Sequence, residues 1–577
     1  MFYIVFLSAL VWLTYFYTLK SGFVSDDIAG LQNYDGKLKK FDYGHLNKYL
    51  LYKLLDKSPR RNHLFSIILH NANVVLLFCF LLTFISVKIA FYSCILFAIH
   101  PICIQSVAWI SGRGYPISLF FALLGFNLIS IFSNFPAFLD YTGIHFSFVT
   151  IAYLIFYYIS ITAQHSFLTT FAIQLFLGNY FFGIIGAVIS LGAGLGIVKE
   201  VIGIRTSVFK EQNLGHSTSL KIQKVIVAMK SLAYYTLLCF FPKRLGLYHT
   251  FEYHYSEKTE RENKWFWLGF LLFLISLAGF WYGNIIVRFA ILWYFSYIFV
   301  FLNWITVHQF VSERYAYIPV IGICILTAYG ISLLDGLFFS GSPVLMALIG
   351  GLYLMRTWVH LPTYNNEVSF YQSNIWNFPD SEVAFGNLGV TYMGCNLLGS
   401  AVDMWQIAAK INPGYDVALY NISSVLQQRG DFVNAREHLK KAIDSPQCHF
   451  RELWTKQLEQ LEHEINYIQE LNNLNQQLVI LEKNPEKTKE VGEIRRQLDE
   501  VNSLHKRFEE KQKQELSIIQ QEEDQLKTRL IQLGVNRQRI SIPIIPTEII
   551  KMRDNNFSFI KETVNNIVKS EATNAKT

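Results

Sequence analysis

The stretch FYIVFLSALVWLTYFYTLKSGFVSDD, residues 2–27, sets the reading of the whole chain. Its first part is apolar for long enough to cross a membrane as a helix, because about 20 such residues span the ~30 Å hydrocarbon layer. It ends in two adjacent carboxylates, Asp26 and Asp27, just past that span. A carboxylate pair at this place points to chemistry at a membrane surface. The segment has no basic region at its start and no small-residue cleavage site before Lys20, so an uncleaved anchor is expected rather than a signal peptide.

Outward from that stretch the same apolar character continues. The 577 residues are 52% hydrophobic, 16% aromatic and only 16% charged, which does not describe one soluble globule. From Met1 to about Trp358 long apolar runs alternate with short polar breaks, and beyond that point the chain turns polar and rich in Gln, Glu and Lys. Spans are predicted near 2–18, 64–85, 87–108, 115–133, 146–163, 225–241, 265–282, 285–304, 315–335 and 343–358. The stretch 166–198 holds one or two more, with Gly178, Gly183, Gly186 and Gly192 allowing kinks or close helix contacts. The predicted fold class is therefore all-α: a polytopic membrane helical bundle of about eleven spans over residues 1–360, followed by a helical tail.

The seven cysteines form no disulfide framework and no Cys-x-x-Cys pair, so they report neither a redox compartment nor a zinc site. Orientation is contested. The loop from Lys20 to Asn62 carries Lys37, Lys39, Lys40, Lys48, Lys53, Lys57, Arg60 and Arg61, which the positive-inside rule would put in the cytoplasm. On the outer face the same cations would grip a lipid phosphate near the headgroups.

The tail opens with a repeat. Leu388-Gly389, Tyr392, Ala401, Trp405 and Ala408 are matched 34 residues later by Ile422-Ser423, Leu426, Ala435, Leu439 and Ala442, and Pro413 by Pro446 one residue early. That period, with small residues where two helices touch, is the tetratricopeptide (TPR) pattern, giving two repeats over 380–448. Leu458, Leu461, Ile465, Ile468, Leu471, Leu474, Leu478 and Leu481, then Val491 to Leu533 after Asn484-Pro485, predict a helical hairpin or coiled coil over 450–535. Residues 536–577 read as an extended strap, with Ser541 to Pro546, and a flexible end.

Polar residues inside a membrane are costly and mark candidate sites. Besides Asp26 and Asp27, these are Arg60, Arg61, His63 and His70 around the second span, and His100-Pro101, Gln105, Val107-Ala108-Trp109 and Ser111-Gly112-Arg113 around the third. Further on come Lys199-Glu200, Tyr234-Tyr235 with Phe241-Pro242, Asn303, and the run Ser312-Glu313-Arg314-Tyr315-Ala316-Tyr317-Ile318-Pro319. His63 and His70 share a helix face, His100-Pro101 suits a helix kink, and Glu313-Arg314 suits an intramembrane ion pair as well as a site.

The order of these motifs, ending in TPRs, resembles the transmembrane and TPR-containing O-mannosyltransferases of the GT-C glycosyltransferase superfamily. The resemblance covers roughly residues 1–446. It implies transfer of a sugar, mannose-like, from a polyprenyl- or dolichyl-phosphate donor to a protein or glycan acceptor on the extracytoplasmic face, with inversion at the anomeric carbon. Asp26 or Asp27 would supply the base, and Arg60, Arg61, Arg113 or Arg314 would hold the donor phosphate. His63, His70, His100, Gln105 and Glu313 would support the pocket. The superfamily also implies a divalent cation, Mg or Mn, for which Asp26, Asp27 and His63 are the available ligands. The expected location is a bacterial inner or plasma membrane or the endoplasmic reticulum, with the tail extracytoplasmic. Expected partners are membrane lipid, the polyprenyl-phosphate sugar, and a protein partner or acceptor at the TPRs and hairpin, with no nucleic acid.

The chain also departs from that pattern. Relatives commonly carry His and Glu where this chain has Cys103 and Gln105, and an amide cannot serve as a base or a strong metal ligand. Two readings stay open: a working transferase, and a catalytically degenerate relative kept as a membrane scaffold that docks other proteins through its tail. A transporter is disfavoured because no inverted repeat is evident.

Overall fold

The computed structural model describes residues 1–28, 53–134, 144–163, 170–179, 181–192, 219–247, 249, 260–303, 311–336, 341–395, 397–446, 448, 450–483, 487–508 and 510. Most of the basic loop after Asp27, Lys199-Glu200, the hairpin beyond 510 and the strap at 536–577 lie outside the described residues. The chain divides into two compact units, Met1–Ser381 and Glu382–Thr577.

The first unit is built of helices, with no strand among its described residues. Its helices are α1 (Phe2–Tyr15), α2 (Pro59–Leu81), α3 (Val87–Ile99), α4 (Ile104–Val107), α5 (Gly114–Asn134), α6 (Ile144–Ala163) and α7 (Phe171–Phe176). After α8 (Phe181–Gly192) come α9 (Ser219–Phe240), α10 (Glu260–Tyr282), α11 (Ile285–Ile298), α12 (Val320–Leu333), α13 (Gly341–His360) and α14 (Glu367–Asn377). Helices are the form that satisfies every backbone polar group locally where no water can. Among the described residues, five helical segments are long and apolar enough to cross a membrane: Phe2–Lys20, Pro59–Leu81, Ile110–Ile131, Lys264–Tyr282 and Gly341–Tyr364. Five shorter apolar helices accompany them. The segment Lys264–Tyr282 buries only 6% of its most apolar window, leaving Trp267, Leu271, Ile275 and Trp281 exposed, as a lipid-facing helix requires.

The packed centre of this unit is aromatic. Phe80 of α2 stacks on Phe126 of α5 at 5.1 Å and meets Trp293 of α11, whose indole N–H donates to the Ile318 carbonyl at 2.9 Å. Glycines bring backbones together at two crossings. Gly322 of α12 faces the Ala290 carbonyl of α11, and Gly269 of α10 faces the Met229 carbonyl of α9, so a Cβ at either place would collide with main chain.

The span predicted over 87–108 is not one straight helix. α3 ends at Ile99, and the chain bends by 48° into Pro101–Val107. Pro101 has no N–H to continue the ladder, and His100, extended at φ −63° and ψ 128°, caps the next turn by accepting the Ile102 N–H at Nδ1. That bend carries Gln105, Trp109 and Arg113 away from the helix axis.

The second unit begins with four antiparallel helices, α15 (Glu382–Gly394), α16 (Leu398–Ile411), α17 (Asp416–Gln428) and α18 (Phe432–Asp444). Equivalent helices start 34 residues apart, and equivalent positions make the crossings: Gly389 lies against the Trp405 indole, and the Ser423 hydroxyl donates to the Ala435 carbonyl at 2.8 Å. α19 (Arg451–Glu482) packs its Trp454, Leu461 and Ile465 on Leu419, Ala435, Leu439 and Ala442. A further helix over 488–508 runs antiparallel to α19, joined by Tyr467 to Asn502 at 2.7 Å and Arg495 to Glu482 at 2.9 Å.

Candidate functional site

The site is built where the chain leaves the segment Phe2–Lys20. Gly22 N–H donates to the Asn365 carbonyl and the Ser21 hydroxyl donates to Asn365 Oδ1, so residues 21–22 are clamped by the turn before α14. Ser25 then takes φ +52°, a left-handed conformation that costs a non-glycine residue of order 1 kcal/mol. Glu367 at the start of α14 accepts the Ser25 N–H at 3.1 Å and holds it there. The twist sends the two following aspartates to different surroundings.

Asp27 is fully buried. One carboxylate oxygen accepts both the backbone N–H and the hydroxyl of Ser111 at 2.6 Å, and the other accepts the Val24 N–H at 3.4 Å. Burial raises its pKa to about 7, against the lowering effect of the Ser111 and Val24 hydrogen bonds and with a small rise from the Asp26 charge. Asp26 is half-buried and lies within electrostatic reach of Arg314.

The turn that Asp27 grips is Trp109 to Arg113. The Trp109 indole N–H donates to the Val24 carbonyl at 3.3 Å. Gly112 packs so tightly that a Cβ would sit 2.5 Å from the Gln105 carbonyl oxygen. Arg113, buried, donates to Asn62 Oδ1 at 2.7 Å. Opposite this turn is the 3-10 turn Glu313–Ala316. The Arg314 guanidinium lies over the Trp109 ring at 4.8 Å and the Tyr315 ring at 5.3 Å. Burial alone would lower the Arg314 pKa, but its interactions with Tyr315, Tyr115 and Asp26 outweigh that and raise it, and a guanidinium stays protonated in any case.

Gln105 ties the two turns. Its Oε1 accepts the Ser312 hydroxyl at 2.9 Å and the Arg314 N–H at 2.6 Å, while its amide N–H₂ group is buried with no hydrogen-bond partner. On the far side of the same turn, buried Glu313 accepts the Gly246 N–H and lies 3.4 Å from His249 Nε2. Burial raises its pKa, opposed by His249 and Gly246.

The remaining sequence candidates fall elsewhere. His63 turns Nε2 to the Gly22 carbonyl at 3.2 Å and so borders the site. His70 shares Tyr317 with Asn73, at 2.8 and 3.3 Å, in the helical core, and is a packing residue there. His100 points Nε2 at the Cys239 carbonyl and shapes the bend. Arg60 and Arg61 are exposed on the first turn of α2, outside the buried cluster. Asp26, Asp27 and His63 are not assembled as a ligand set. Among the described residues no group of three His, Cys, Asp or Glu side chains is placed to hold a metal, and the Asp27 oxygens already accept three hydrogen bonds. As placed, these described residues do not form a site for a divalent cation.

Sequence reasoning missed Glu367, Asn365 and His249. Their partners lie tens to hundreds of residues away, so no local pattern marks them. Ser111 stands in the sequence only within the run Ser111-Gly112-Arg113, and nothing local marks it as the holder of Asp27.

What the arrangement defines is an all-helical membrane protein with a half-buried carboxylate and a stacked guanidinium beside one tight turn. No family model, curated protein or solved structure matches the chain.

Proposed function

We propose that the protein is an integral-membrane glycosyltransferase of the GT-C type, moving a mannose-like sugar from a polyprenyl- or dolichyl-phosphate donor to a hydroxyl of a protein or glycan on the extracytoplasmic face. The observation that carries this reading is the pairing of Arg314, permanently charged over Trp109, with the half-buried Asp26 in its electrostatic reach. A transferase of this kind needs a cation for the leaving phosphate and a base for the acceptor, and little else. In the proposed step Asp26 takes the proton of the acceptor hydroxyl as that oxygen bonds to the anomeric carbon. The bond from that carbon to the phosphate oxygen breaks, and the lipid phosphate leaves with its electron pair against Arg314. Asp27 does not react; it holds the Trp109–Arg113 turn.

The finer architecture belongs to the same proposal. Among the described residues the five long segments and the bent pair give up to six crossings, and eleven spans would need each of the five shorter apolar helices to cross as well. The four helices from Glu382 to Asp444, with their 34-residue offset, read as two TPR units that recruit an acceptor or partner.

A second reading, a degenerate relative serving as a scaffold, draws on Gln105. Both bonds that its Oε1 accepts tie turns together, a structural duty that needs no acid.

The test is to supply radiolabelled dolichyl- and polyprenyl-phosphate sugars to the purified full-length protein with acceptor peptides. Transfer by the wild type, reduced about a hundredfold or more in Asp26→Asn, is expected. No transfer on any donor, with the protein recovered in a larger complex, would leave the scaffold reading.

A further inference from the structure

We propose that Tyr234, His249 and Glu313 form a chain of buried polar contacts that positions Arg314 over Trp109 and thereby sets the affinity of the site for a phosphate group. These are positioning residues. The second half of this inference rests on the phosphate reading above; the first half does not.

The Tyr234 hydroxyl and His249 Nδ1 are 2.7 Å apart, and His249 Nε2 is 3.4 Å from Glu313 Oε1. A carboxylate has no proton to give, so the consistent assignment has Nε2–H facing Glu313 and Nδ1 accepting from Tyr234. Glu313 Oε1 also accepts the Gly246 N–H, and the His249 ring packs on Phe378 at 4.6 Å. Glu313 is thus moored to the segment after α9, with its Oε2 buried and unbonded.

Glu313 and Arg314 are consecutive residues of a four-residue 3-10 turn. Successive side chains of such a turn leave the axis about 120° apart, so anchoring one fixes where the other points. The start of the turn is held by Ser312, bonded to Gln105 Oε1 and to the Tyr235 hydroxyl, and the Arg314 N–H by the same Gln105 oxygen; Glu313 is a further fixed point beside Arg314. Loss of that anchor lets the guanidinium shift on the indole. Gly246 belongs to the same device: a Cβ there would meet Asn374 Oδ1 at 2.6 Å, so the loop is packed to present its N–H.

The experiment uses the full chain in nanodiscs with 5-fluorotryptophan, the Trp109 resonance being assigned with Trp109→Phe. His249→Phe, which removes both ring nitrogens, is expected to shift the Trp109 resonance and weaken binding of undecaprenyl monophosphate about tenfold. His249→Gln, which restores a donor toward Glu313, is expected to recover most of both. Tyr234→Phe removes one hydroxyl and is expected to give a smaller shift in the same direction, which keeps the test open should His249→Phe fail to fold. An unmoved Trp109 resonance in a folded His249→Phe or Tyr234→Phe protein overturns the positioning chain. A resonance that moves in a protein whose wild type binds no polyprenyl phosphate supports the chain and overturns its link to phosphate.

Discussion

Asp27 and Ser111, 84 residues apart, are joined twice: the backbone N–H and the hydroxyl of Ser111 both donate to one Asp27 oxygen at 2.6 Å. This bond pair ties the exit of the first span to the turn beneath Arg314. It separates two adjacent aspartates of identical chemistry: Asp27, buried on the turn, and half-buried Asp26, the base of the proposed transfer.

The division predicts opposite phenotypes. Asp27→Asn places an amide N–H₂ against either Ser111 or Val24, both donors, and is expected to cost about 1–3 kcal/mol of stability. Asp26→Asn, which leaves the Ser111 and Val24 bonds of Asp27 in place, is expected to lose transfer with a smaller loss of stability. Thermal unfolding in detergent, read beside the radiolabel assay, checks both; equal destabilisation by the two variants would refute the division.

A pH effect follows from the same carboxyl. Its folded pKa of about 7 lies above the ordinary value near 4, so the folded state binds the proton more tightly than the unfolded chain. The stability contributed is fully present below about pH 4 and is lost as pH rises through about 7, by an amount on the order of a few kcal/mol. The melting temperature of the wild type should therefore fall between pH 5 and 8, and Asp27→Asn should flatten that slope. A slope that survives in the variant assigns the titration elsewhere.

Arg314 stacks as well as charges. Arg314→Lys keeps the charge but loses the planar face that lies over Trp109 and Tyr315. Affinity for a polyprenyl monophosphate should fall about tenfold in Arg314→Lys and further in Arg314→Ala, with Arg60→Ala on the exposed first turn of α2 close to wild type. Titration of the lipid in nanodiscs ranks the three, and an Arg60→Ala loss as large as that of Arg314→Lys would move the phosphate to the surface.

Much of the helical architecture was legible because it rests on local pattern. Apolar runs mark α1, α2, α5 and α13, and the alanines at 401, 408, 435 and 442 mark the crossings of the tail. The helix bend was readable from His100-Pro101, since proline removes a donor wherever it stands. The site was readable only as an inventory. Nothing near Asp27 shows that Ser111 grips it, nothing near His70 shows that Tyr317 claims it, and Glu367 carries no signal of its duty at Ser25. How each of two neighbouring acids is placed is decided by contacts across the fold, and a linear motif holds no record of them.

The tail offers a prediction independent of the membrane unit. Trp454 of α19 is buried, stacks on Tyr420 at 4.7 Å with rings 10° apart, and sits in one cluster with Ala435, Leu439 and Leu461. Removing an indole from such a place costs about 3–5 kcal/mol, more than a contact between two helices of this size can readily lose. Trp454→Ala should therefore release the helices from residue 451 onward while leaving α15 to α18 folded. Limited trypsin digestion of the full-length protein should then cut early after Arg451 and Lys456, the two tryptic sites within α19, which the packed helix shields in the wild type. Val479→Ala, a change at an exposed position of the same helix, should leave the digestion pattern as it was. Equal cutting in both variants would mean that α19 is not held by the Trp454 cluster.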